Sequence, residues 1–135
     1  MNWLIMPPRT LTPEQLQQLS PASWAYLGDA VYELYVRQAY LLPPKRLQSY
    51  HQSVVAQVRA ETQASQLQVL EPFLTPNELE IIRRGRNATC RFPKRLDPQI
   101  YQQATSLETL VGYLYLTNPE RLSELMAYLN FGSEG

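Results

Sequence analysis

Residues 23–36 read Ser23-Trp24-Ala25-Tyr26-Leu27-Gly28-Asp29-Ala30-Val31-Tyr32-Glu33-Leu34-Tyr35-Val36. Trp24, Leu27, Val31 and Leu34 recur at spacings of three and four, the pattern of a helix with one apolar face. Two neighbours do not suit a helix that only fills a core. Asp29 is a carboxylate in nearly uncharged surroundings, where desolvation is costly unless something binds it. Gly28 lowers helix propensity by roughly 1 kcal/mol relative to alanine. Asp29, Glu33 and Arg37 also form a stripe at i, i+4, i+8. Glu33 and Arg37 make a favourable helix pair, worth about 0.2–0.5 kcal/mol, whereas Asp29 and Glu33 are like charges one turn apart. On this segment alone, a solvated stripe and a functional Asp29 both remain open.

Working outward, prolines punctuate the chain. Thr12-Pro13, Ser20-Pro21, Thr75-Pro76, Asp97-Pro98 and Asn118-Pro119 each set a capping side chain before a proline, the start signal of a helix. Helices are predicted from Pro13 for a short stretch, from Pro21 to about Leu42, and from about Leu47 to Leu70. Further helices run from Pro76 to about Arg84, with Leu79, Ile81 and Ile82 facing inward, from Pro98 to about Leu116, and from Pro119 to about Asn130. Residues 85–96 are expected to form a basic loop, and 131–135 a short tail. Strand signals are weak, with few alternating β-branched runs and no Asn-Gly or Asp-Gly turn. The expected fold class is all-α, in a single domain over residues 1–135.

With 44% hydrophobic and 18% charged residues, the chain is a globular protein rather than a disordered one. Cys90 is the only cysteine, which excludes an internal disulfide and a cysteine-built metal site. Residues 1–8 are apolar, but they lack a basic start and are cut short by Pro7-Pro8, a poor signal peptide. No run approaches the ~20 apolar residues of a membrane span. A cytoplasmic protein with no membrane partner is expected.

A second anomaly lies in Tyr101-Gln102-Gln103-Ala104-Thr105-Ser106-Leu107-Glu108-Thr109-Leu110-Val111-Gly112-Tyr113-Leu114-Tyr115-Leu116. This apolar helix holds one carboxylate, Glu108, and one internal glycine, Gly112, four residues apart on one face. If the Gly28 and Gly112 regions cross closely, Asp29 and Glu108 point into one gap. Converging carboxylates need a proton or a cation between them. Oxygen ligands without His or Cys suit Mg²⁺, which keeps several of its waters. The competing reading makes each a separate surface acid.

Of the 12 basic residues, Arg83, Arg84, Arg86, Arg91, Lys94 and Arg95 lie in one stretch, 83–95, that contains no acid. The neutral chain is therefore polarised. With Gly85, Asn87 and Thr89 among them, these residues suit a phosphate backbone; a solvated charge run is the alternative. Arginines beside Cys90 favour its thiolate, but no acid or histidine adjoins it in sequence to support a catalytic thiol. His51, the only histidine, reads as a surface or capping residue.

Taken together, these segments resemble the ribonuclease III family. Tyr26-Leu27-Gly28-Asp29-Ala30-Val31 is similar to its signature helix, and Leu107-Glu108-Thr109-Leu110-Val111-Gly112 to its second acidic helix. Ala25 to Arg37, Arg84-Gly85-Arg86-Asn87-Ala88 and Thr105 to Leu116 bring the chain nearer to the Mini-ribonuclease III branch, which lacks a double-stranded-RNA-binding domain. The resemblance spans roughly residues 14–132. Ala25 and Thr105 stand where full-length members carry a glutamate and an aspartate, so two of four family acids carry over. Two carboxylates suffice for one Mg²⁺ and are thin for two.

The resemblance implies the helical ribonuclease III endonuclease fold and a Mg²⁺-dependent endoribonuclease acting on double-stranded RNA. Asp29 and Glu108 would be catalytic and metal-binding. Arg83, Arg84, Arg86, Asn87, Arg91, Lys94 and Arg95 would bind RNA. It implies 5′-phosphate products and a homodimer packed through the signature helices, with Trp24, Tyr26, Tyr32 and Tyr35 as an apolar interface. Precursor 23S ribosomal RNA would be the substrate, with a large-subunit ribosomal protein assisting. The alternative is a non-catalytic RNA-binding or ribosome-associated protein of the same fold.

Overall fold

The structure, a computed structural model, describes residues 9–89 and 91–131. The expectations for Cys90, for residues 1–8 and for most of the C-terminal tail lie outside the described residues. The helices are α1 (Pro13–Gln18), α2 (Pro21–Ala39), α3 (Leu47–Val58), α4 (Ala60–Leu70), α5 (Pro76–Ala88), α6 (Pro98–Thr117) and α7 (Pro119–Ala127), with a 3-10 turn over Glu71–Phe73. The described residues contain no strand, as the all-α reading requires.

Local chemistry sets the helix starts. Thr12 and Thr75 form capping boxes with Gln15 and Glu78. The side chains of Ser20, Asp97 and Asn118 accept from backbone N–H groups of the first turn. Proline follows each cap, where its missing N–H costs nothing. Asn118 also ends α6, so one residue closes one helix and opens the next.

The long helices α2 and α6 form the central pair, and α4 and α5 pack on α6. Tyr32, Val36, Leu70, Ile82, Leu107, Leu110, Leu122 and Leu125 make the fully buried centre. The ring of Trp24 meets Tyr113 edge-on at 5.1 Å. No described helix is long and apolar enough to cross a membrane.

Gly28 and Gly112 fix how closely α2 and α6 approach. A Cβ on Gly28 would sit 1.8 Å from the Glu108 carbonyl oxygen, and one on Gly112 would sit 1.9 Å from that of Trp24. Only glycine leaves room for backbone against backbone here. The two mid-helix glycines thus exchange helix propensity for contact, and the crossing anticipated from sequence is formed.

Five expectations are corrected. The helix predicted over 47–70 is two helices, broken at Arg59, whose ψ of 155° is extended. No glycine or proline marks the break. The Thr62 hydroxyl donates to the Ala56 carbonyl at 2.6 Å, a side-chain bond that competes with a continuous ladder. Helix α5 continues past Arg84 to Ala88, because Gly85 is accommodated against Thr109 and the Thr89 hydroxyl donates to the Gly85 carbonyl at 2.9 Å. Leu79 is exposed, since the inner face of α5 is Glu78, Ile81, Ile82 and Gly85. On α2, Leu34 is 43% exposed, whereas Trp24 and Tyr32 are buried in this chain's own core and are not available to an interface.

Candidate active site

Asp29 on α2 and Glu108 on α6 line one open cleft of about 370 Å³, together with Tyr26, Gly85, Thr89, Arg91, Tyr101, Thr105 and Thr109. Asp29 and Glu108 lie near enough for the Asp29 charge to act on the Glu108 carboxyl. The glycine-tight crossing produces this meeting. Asp29 follows Gly28, and the Glu108 carbonyl is the atom that Gly28 touches.

Glu108 is half-buried and Asp29 exposed. Burial pushes the Glu108 carboxyl from its ordinary 4.5 up to about 8, and the Asp29 charge adds to that, against an opposing hydrogen bond from Gln63. The bond runs from Gln63 Nε2 to Glu108 Oε2 at 3.3 Å. Tyr32 lies beneath, fully buried, with no hydrogen-bond partner for its hydroxyl among the described residues. Burial, and then the Glu108 charge, push its phenol above the ordinary tyrosine range.

The acid pair has the chemistry of a hard-cation site. Two carboxylates held together repel, and a divalent ion relieves that repulsion through oxygen donors. Among the described residues no group of three or more His, Cys, Asp or Glu is placed to hold a metal. A cation at Asp29 and Glu108 would therefore complete its shell with water or substrate oxygens, as Mg²⁺ does.

The basic residues do not form one free loop. Arg83, Arg84, Arg86 and Asn87 are helical, and Arg91, Lys94 and Arg95 follow in the connection to α6. Arg83 Nε donates to Glu80 Oε1 at 2.9 Å and Arg84 Nε to Glu80 Oε2 at 3.4 Å. The expected absence of a counter-charge is thereby corrected: Glu80 lies just outside the acid-free stretch, one turn away. Of the seven predicted RNA-binding residues, Arg91 lines the cleft with the acids. Arg86 borders a separate polar cleft with Gln68, Asp97 and Gln102. Glu33 pairs with Arg37, whose Nε donates at 2.8 Å, and His51 is exposed on α3.

Sequence reasoning missed Gln63 and Tyr101. Gln63 falls at i, i+4, i+7 with Leu67 and Leu70, a polar residue on an apolar stripe, and that was its only signal. Tyr101 precedes Thr105 and Glu108 on the same face of α6 and lines the cleft.

An all-helical scaffold that brings two acids together across a glycine-tight crossing defines a class. The chain belongs to the ribonuclease III family: the family profile of the Ribonuclease III domain matches residues 22–119. Relatives place it in the Mini-ribonuclease 3 branch. It is 57% identical over 121 residues to the Mini-ribonuclease 3 of a Synechococcus strain, covering 90% of this chain and 88% of that one. It is 56% identical over 114 residues to that of a Synechocystis strain, covering 84% and 80%. The crystal structure of a Fusobacterium nucleatum protein superposes with a TM-score of 0.74 at 28% identity, over 80% of this chain and 90% of that one. The chain is an endoribonuclease of this family.

Proposed function

We propose that this endoribonuclease cuts double-stranded RNA with Mg²⁺, that Asp29 and Glu108 are its catalytic and metal-binding pair, and that precursor 23S ribosomal RNA is its substrate. The observation that carries the reading is the meeting of the two acids in an open cleft that also contains Arg91.

When bound, the cation would supply an acidified water as nucleophile and positive charge beside the leaving oxygen. Asp29 and Glu108 would hold it at the crossing of α2 and α6. Arg91 draws a phosphate towards the acids, which alone would repel it. Arg86, Asn87, Lys94 and Arg95 extend the positive surface along the RNA backbone, with Arg83 and Arg84 shared between RNA and Glu80. A-form RNA presents phosphates and 2′-hydroxyls rather than readable base edges, so this surface selects shape. The resemblance to the family implies products with 5′-phosphate and 3′-hydroxyl ends.

A homodimer, with the whole chain as one domain, gives one site per subunit and one cut per strand. Its contact is the outer face of α2, where Tyr26, Ala30 and Leu34 follow one another at four-residue spacing and are all exposed. A cytoplasmic location and help from a large-subunit ribosomal protein complete the proposal.

The test is incubation of purified protein with a stem from precursor 23S ribosomal RNA, in Mg²⁺ and in EDTA, beside a single strand of the same sequence. Cleavage of the stem in Mg²⁺ alone is expected. Equal cleavage in EDTA would remove the metal, and preference for the single strand would remove the substrate class.

A further inference from the structure

Gln63 is an uncharged residue in the core, 2% exposed, on a helix whose inward face is otherwise Ala64, Leu67 and Leu70. A buried carboxamide is costly unless its donors and acceptors are used. Its Nε2 reaches Glu108 Oε2 at 3.3 Å, 45 residues away in sequence. A carboxylate that binds a cation is ionised and only accepts, so in that state the carboxamide presents its N–H side to it. The break at Arg59 makes this contact: the Gln63 backbone N–H donates to the Arg59 carbonyl at 3.0 Å, within the first turn of the redirected helix that packs on α6.

We propose that Gln63 is a positioning residue, whose buried carboxamide anchors one oxygen of Glu108 and so orients the carboxylate toward Asp29 for divalent-cation binding. This rests on the acid pair being the cation site. Without the anchor, Glu108 is free to rotate about its side-chain bonds, and the two-acid arrangement must be ordered each time an ion binds. With only two carboxylates at the site, loss of orientation in one is felt strongly. Partners behind a metal ligand commonly set affinity by about 10–100-fold.

The test is Mn²⁺ binding to the full chain without RNA, read as free Mn²⁺ by electron paramagnetic resonance, for the unmodified protein, Gln63→Leu, Gln63→His and Glu108→Gln. Gln63→Leu keeps side-chain volume and removes the donor, and about tenfold weaker Mn²⁺ binding is expected. On an RNA stem it should lower kcat with little change in KM, a split that a merely structural residue would not produce. Gln63→His places a ring N–H at similar reach and should recover most of the affinity. Should Gln63→Leu not fold, Gln63→Met, which adapts better to irregular interiors, carries the same comparison. Unchanged Mn²⁺ affinity in a folded Gln63→Leu or Gln63→Met overturns the proposal. Unchanged affinity in Glu108→Gln overturns the acid-pair reading instead, whatever Gln63 does.

Discussion

Glu108 carries its proton far above the range of a free glutamate, and stability should report it. Its folded pKa of about 8 exceeds the ordinary 4.5, so between these values the native state holds a proton that the unfolded chain has lost. The sign follows: this contribution is complete below about pH 4.5 and is lost as pH rises through about 8. Urea denaturation in EDTA should therefore show that stability declines across this window, and Glu108→Gln should flatten the decline. An identical slope in the variant would mean that Glu108 is not the group responsible. The glycines make a second prediction at this scale. Gly112→Ala drives a methyl into the Trp24 carbonyl; overpacking typically costs about 1–3 kcal/mol, and pushing α2 from α6 also separates the acids. Thermal unfolding and cleavage should fall together, and wild-type values for both would contradict the close approach. Asp29, Glu108, Gly28 and Gly112 were legible because each violates its surroundings. Gln63 was nearly silent, because a glutamine on an apolar stripe resembles any tolerated polar residue until its partner is seen.

At the scale of elements, the proline-led starts were legible because capping is local chemistry. The break at Arg59 was not, because it depends on a hydroxyl bond and on packing against α6 rather than on glycine or proline. The extension of α5 was hidden for a related reason: Gly85 reads as a helix end until Thr109 is found against it. The start of α5 is tied to α7 by Arg121, whose Nε donates to Glu78 Oε2 at 2.8 Å and whose Nη2 donates to the Phe73 carbonyl at 2.8 Å. Burial pushes the Glu78 carboxyl up, but the bonds and charge of Arg121, with the Thr75 N–H, outweigh it and hold it below the ordinary value. The stability from this pair is present above about pH 4.5 and lost as pH falls through the lower folded value. Arg121→Ala leaves a carboxylate of 5% side-chain exposure unpaired and should cost about 3–5 kcal/mol at neutral pH. Denaturation near pH 4 should show a smaller loss; the same loss at both pH values would argue against the ion pair.

For the whole molecule, zero net charge concealed an asymmetric surface. The cation run was legible, but its partition was not: the acid that engages Arg83 and Arg84 lies outside the run, whereas Arg91 turns into the cleft. Arg86→Ala with Arg91→Ala should weaken stem binding and reduce the slope of log affinity against log salt by about 2. An unchanged slope would place the RNA elsewhere. The exposed face of α2 became legible only with the fold, because Trp24 and Tyr32 had first to be assigned to the core. Leu34→Glu should shift the proposed dimer to monomer in sedimentation velocity while the chain stays helical, and an unchanged sedimentation coefficient would remove this face from the proposal. The central claim is that Asp29 and Glu108 together form the catalytic cation site. Its most direct test is the single-turnover rate of stem cleavage in saturating Mg²⁺ for Asp29→Asn and Glu108→Gln, each folded and still binding RNA. The account predicts a loss of roughly a thousandfold or more in both, the equivalent of several kcal/mol of metal-assisted stabilisation; cleavage within about tenfold of the unmodified rate in either variant would contradict it.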